Sequence, residues 1–127
     1  MPAARLGLHH CASGLQRCVA RLGLSADKRL FLLAAQLGAA ELLHIGYLDK
    51  LVAPETLGAA VQALAESLLT GAPLALAGMK LSLNEIARGD IDLPRLLGRV
   101  ERCTQSEDLR HGLAAISVRR TPRFRGR

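Results

Sequence analysis

Apolar residues recur at helical intervals through most of this chain. Leu15, Cys18, Val19 and Leu22 follow the i, i+3, i+4, i+7 spacing of one helix face, and Gly23 behind them predicts a left-handed stop. Ser25 predicts the N-cap of a second helix running to about Gln36, with Asp27 in its first turn to complement the dipole and Gly38 as its end. Ala39 to His44 read as one further helical piece closed by Gly46, after which Tyr47, Leu48, Leu51 and Val52 form the one segment of strand-like character. Pro54 opens the next helix, with Leu57, Val61, Leu64 and Leu68 along one face. Thr70-Gly71-Ala72-Pro73 ends it and starts another, which carries Leu74, Leu76, Met79, Leu81, Leu83 and Ile86 and breaks at Gly89. Leu93, Leu96, Leu97 and Val100 repeat helically after Asp90-Ile91-Asp92. Ser106-Glu107-Asp108 caps a last helix with Leu109, Leu113 and Ile116, and Thr121 to Arg127 is a non-helical tail.

The 127 residues predict a mainly α chain of about six or seven helices with at most one short strand region. Composition agrees, since half of the residues are apolar while Phe31, Tyr47 and Phe124 are the only aromatics. The core must therefore be built from Leu, Ala, Val and Ile, and Leu and Ala lose little rotamer freedom in helices. Leu30-Phe31-Leu32-Leu33 and Leu74 to Leu83 are apolar on more than one face. Either the chain is a self-contained bundle with ordinary surface leucines, or this surface covers a missing domain or a partner subunit.

Charge changes the picture less than its total suggests. The formal net charge is +6, but Arg119, Arg120, Arg123, Arg125 and Arg127 all fall in the last nine residues. Removing those five leaves the preceding 118 residues at +1, so the basicity belongs to the tail. Without interleaved aromatics or a basic stripe on any helix, nucleic acid is not an expected partner. No apolar run approaches the length of a membrane span, and a signal peptide pattern is absent from the start. Three cysteines, Cys11, Cys18 and Cys103, with no C-x-x-C pair, predict a reduced, cytoplasmic protein rather than a disulfide framework. His9, His10, Cys11 and Cys18 carry metal-ligand chemistry, but adjacent histidines do not readily face one ion and the spacing fits no zinc module, so no metal is expected. His44, His111 and Lys80 have no partner pattern, and Asp49 is expected to close a local hydrogen bond.

A succession of short motifs carries a family likeness. Pro2-Ala3-Ala4-Arg5-Leu6-Gly7-Leu8, Gly14, Arg17, Leu22-Gly23, Ala39-Ala40-Glu41-Leu42, Ile45-Gly46-Tyr47-Leu48-Asp49 and Ala72-Pro73-Leu74-Ala75 are followed by Met79-Lys80, Ser106-Glu107-Asp108 and Gly112-Leu113-Ala114-Ala115. In that order they resemble the C-terminal half of the crotonase superfamily, the enoyl-CoA hydratase/isomerase enzymes. The closing Arg119-Arg120-Thr121-Pro122-Arg123-Phe124-Arg125-Gly126-Arg127 resembles that family's K-R-x-P-x-F-x-G ending.

The resemblance implies acyl-CoA chemistry without a separate cofactor, acyl-CoA being the substrate or ligand. It implies that residues 1–53 are the end of a crotonase-like core, with loop, helices and a short strand. Residues 54–127 would be a helical region of the kind that builds trimers, with a basic tail. In such enzymes two backbone N–H groups stabilise a thioester enolate, and the family places them before the segment that this sequence matches. A family glutamate that follows a proline is matched here by Ala3, whose methyl group moves no proton, so no catalytic residue is assigned. His9 to Gly14 replaces a Pro-Gly-rich loop of many relatives. Near the closing motif the family brings a basic and an apolar residue to the CoA nucleotide, and the matching positions are Arg119 and Ile116. Phe124 is expected to anchor the tail. The expected partners are further copies of the chain, as in a trimer, or a separate chain supplying the core. The expected function is that of an enoyl-CoA hydratase/isomerase-like fragment inactive alone, from a split enzyme or a truncated gene, with a non-catalytic oligomerisation or binding module as the alternative.

Overall fold

Seven α-helices and two short 3-10 turns form among the described residues, 3–127, of this computed structural model. The chain divides into two compact units, residues 1–53 and 54–127, each described by itself.

The first unit holds a 3-10 turn (Ala3–Leu6), α1 (Ala12–Leu22), α2 (Leu24–Phe31) and α3 (Ala39–His44). Gly23 ends α1 and N-caps α2 with φ 78° and ψ 158°, a conformation open in practice only to glycine. Ser25 therefore lies inside α2 and does not cap it. That helix also stops at Phe31, short of Gln36, because the chain turns through a left-handed Ala34 (φ 48°) and the Ala35 N–H reaches back to the Arg29 carbonyl at 3.1 Å. Gly38, expected to end α2, instead leads into α3 with extended backbone. Across the unit Arg29 pairs with Glu41 at 2.5 Å. Arg21 donates to the Gly46 carbonyl at 2.8 Å and to Asp49 at 2.7 Å. Asp49 thus closes a contact with a helix 28 residues away rather than a local one. The strand expected at Tyr47 to Val52 does not form, since among the described residues no neighbouring strand offers it a ladder.

The second unit starts with a 3-10 turn (Pro54–Thr56) and continues through α4 (Leu57–Leu69), α5 (Pro73–Arg88), α6 (Leu93–Thr104) and α7 (Glu107–Ser117). Pro73 occupies the first turn of α5, where its missing N–H costs nothing. Asp92 caps α6 by accepting the Arg95 N–H at 3.0 Å, and Ser106 caps α7 by accepting the Leu109 N–H at 3.1 Å. The α5 and α6 helices meet at Gly78, where an added Cβ would lie 3.6 Å from that of Arg99. Arg99 then grips Glu85 through both guanidinium nitrogens and donates to Ser82 Oγ at 3.1 Å, a part-buried network joining the two helices.

Among the described residues, Ala26 and Ala115 are the only buried apolar side chains. Leu57, Val61, Leu64 and Leu68 of α4 are exposed, and Leu69 is 83% exposed. The helices form as their periodicity predicts, but their apolar faces stay open.

Candidate functional site

The closing helix and tail gather the positions that the sequence singled out. Helix α7 ends in paired hydrogen bonds: the Arg119 N–H donates to the Ile116 carbonyl at 3.1 Å and the Arg120 N–H to the Ala115 carbonyl at 3.0 Å. This is the Schellman arrangement, which normally places glycine at the left-handed residue. Helices α3 and α5 end in the same pair of bonds and do place glycine there, Gly46 (φ 76°) and Gly89 (φ 70°). In α7 the left-handed residue is Arg119, with φ 51°. Ile116 and Arg119 are thus joined at one helix end. Both are exposed, Ile116 at 73%.

The tail folds back on the start of the same helix. Asp108, 1% exposed, accepts the Arg125 N–H at 2.8 Å on one carboxylate oxygen and the Gly126 N–H at 2.7 Å on the other. Its own N–H donates to the Arg127 carbonyl at 3.1 Å, and Glu107 pairs with the Arg127 guanidinium at 3.1 Å. Phe124 lies against Gly112, where an added Cβ would sit 3.4 Å from its ring, which gives it the anchoring position expected of it. Beside them Leu74, Leu113, Ile116, Phe124 and Cys103 line a cavity of about 200 Å³. Cys103 also lines a larger apolar groove of about 450 Å³ between α5 and α6, whose walls include Met79, Leu83, Leu96 and Val100. The sequence pointed to Asp108 only as a helix cap. Its role in holding the tail had no signal, because nothing local shows that residues 17 and 18 positions later return to it.

Ala3 opens the first 3-10 turn, where its carbonyl accepts the Leu8 N–H at 3.0 Å. Pro2 lies outside the described residues. His9 donates through Nδ1 to the His10 carbonyl at 2.7 Å, and His10 stacks edge-on against Phe31 with ring centroids 4.8 Å apart. Cys11 N-caps α1, and the Ser13 hydroxyl, followed by the Gly14 N–H, draws its thiol below the ordinary value. Burial pushes the Cys18 thiol up, and the charge of Asp27 adds to the effect. Among the described residues no three His, Cys, Asp or Glu side chains converge as a metal site would require. None of the helices among them is long and apolar enough to cross a membrane by itself.

Comparison with known proteins agrees over the whole chain. The enoyl-CoA hydratase/isomerase family profile matches residues 1–127. An enoyl-CoA isomerase/hydratase of Mycosarcoma maydis is 31% identical, the match covering 99% of this chain and 47% of that protein. A short-chain-enoyl-CoA hydratase of Clostridium acetobutylicum is 28% identical over 99% of this chain and 49% of its own. Among solved structures, enoyl-CoA hydratase subunit I of Geobacillus kaustophilus superposes with a TM-score of 0.83 at 28% identity, over 99% of this chain and 50% of that one. The chain spans about half the length of the relatives it matches. With its fold superposing on that structure and its sequence matched from end to end, this chain belongs to the enoyl-CoA hydratase/isomerase family, within the crotonase superfamily.

Proposed function

We propose that these 127 residues are the helical, C-terminal half of an acyl-CoA-processing crotonase fold, working in a cytoplasmic setting. In this reading residues 54–127 build subunit contacts through the open faces of α4 to α7, and residues 1–53 complete the edge of the thioester-binding core. Arg119 and Ile116 approach the nucleotide end of CoA, the guanidinium donating to phosphate oxygens while the apolar side chain covers a base or ribose edge. Oxyanion donors and acid/base groups come from the other half of the fold, because Ala3 stands where a family glutamate would act and has no group able to carry a proton.

The observation that supports this most directly is the open surface. Helices whose only buried apolar residues are two alanines have faces made to be covered, and the relatives are twice as long. The test is hydration of an enoyl-CoA thioester by the purified chain, alone and then with the complementary half co-expressed. No turnover alone and turnover on reconstitution is the expected pair of results. Turnover by the chain alone would overturn the assignment. The second reading, a non-catalytic oligomerisation module, is favoured by Ala3 and predicts a stable assembly that stays inactive after reconstitution.

A further inference from the structure

One recess in the second unit is unlike the apolar cavities. His111 of α7 and Arg120, Arg123 and Arg125 of the tail line a space of about 190 Å³. No carboxylate is among its lining residues. Among the described residues these three arginines have no ion-pair partner, whereas Arg127 pairs with Glu107, Arg95 with Asp92 and Arg99 with Glu85. Three like-charged side chains bordering one space repel one another, so the arrangement needs a backbone that holds them there. The tail supplies that constraint. Asp108 fixes the Arg125 and Gly126 N–H groups, and Phe124 is lodged against Gly112. Both Asp108 oxygens accept from the backbone, and this carboxylate forms no ion pair with the three arginines among the described residues.

We propose that this recess binds a small, multiply charged phosphate anion. Guanidinium forks suit the oxygens of a phosphate, and His111 adds an imidazole to the lining. The volume suits a pyrophosphate-sized group. No Phe, Tyr or Trp ring lines the space, so it lacks the run of aromatic side chains on which successive nucleic acid bases stack. Its lining residues differ from the pair assigned above to the coenzyme, Arg119 and Ile116.

The test is calorimetric titration of the full chain with pyrophosphate and with inorganic phosphate at low ionic strength. Saturable binding is expected, tighter for pyrophosphate and weakened by added sodium chloride. The triple variant Arg120→Gln, Arg123→Gln, Arg125→Gln should lose affinity by roughly tenfold or more with its helical circular dichroism unchanged. Arg102→Gln, an exposed arginine of α6 outside the recess, should bind pyrophosphate as the parent does. Asp108→Ala, which keeps every arginine but frees the tail, should also weaken binding. The proposal is overturned by any of three results: no pyrophosphate binding at millimolar concentration, undiminished binding by the triple variant, or tight binding of a single-stranded oligonucleotide without binding of pyrophosphate.

Discussion

Asp27 does lie in the first turn of α2, where the sequence placed it to complement the dipole, but it is 4% exposed and neither carboxylate oxygen has a hydrogen-bond partner among the described residues. Its burial outweighs the help of the helix end and pushes the carboxyl above its ordinary range. The sign of the consequence follows from proton linkage. A carboxyl that holds its proton more tightly folded than unfolded destabilises the fold above its folded pKa. The penalty fades as pH falls and is gone below the unfolded value of about 3.9. Asp27→Leu should therefore raise unfolding free energy by about 1–3 kcal/mol at pH 7, and the gain should shrink in acid. Denaturant titrations at pH 7 and pH 4 would check both, and a gain equal at the two pH values would contradict the charge-based cause. None of this was legible in the letters, because burial is decided by which residues pack over a helix and not by its own pattern.

At the scale of elements, the sequence carried the helices well and their ends unevenly. Glycine announces the left-handed closures at Gly46 and Gly89, and Asp92 and Ser106 are caps readable from composition. The end of α2 at Ala34 and the end of α7 at Arg119 gave no such sign, since both residues take a conformation their side chains disfavour. The Glu85–Arg99 link between α5 and α6 was equally silent, its partners being 14 residues apart on different helices. The contrast among the three similar helix ends yields a prediction. Arg119→Gly should stabilise the chain by about 1 kcal/mol, read as a rise in denaturation midpoint, because glycine relieves the left-handed strain. If Arg119 meets CoA, the same substitution weakens CoA binding, so stability and affinity move in opposite directions. A loss of stability would show that the arginine side chain supports the helix end itself.

For the molecule as a whole, composition and periodicity established a helical, aromatic-poor chain but left two accounts of its leucines open. The structure shows those leucines exposed along α4, α5 and α6, and the family match accounts for only half of each relative. On the proposed reading a complementary half or another copy covers them, and the periodicity of these helices marks the apolar face without naming which. Cys103 offers a way to watch that surface. It lines two neighbouring hollows at once, the channel flanked by α5 and α6 and the smaller chamber near Phe124. With Cys11 and Cys18 changed to serine to remove the two competitors, a maleimide dye should modify Cys103 readily in the isolated chain and at least about tenfold more slowly once a complementary half or another copy has docked there. An unchanged labelling rate in the assembled particle would locate the contact elsewhere. A single native thiol thus becomes a built-in gauge of whether the helical half has found its counterpart.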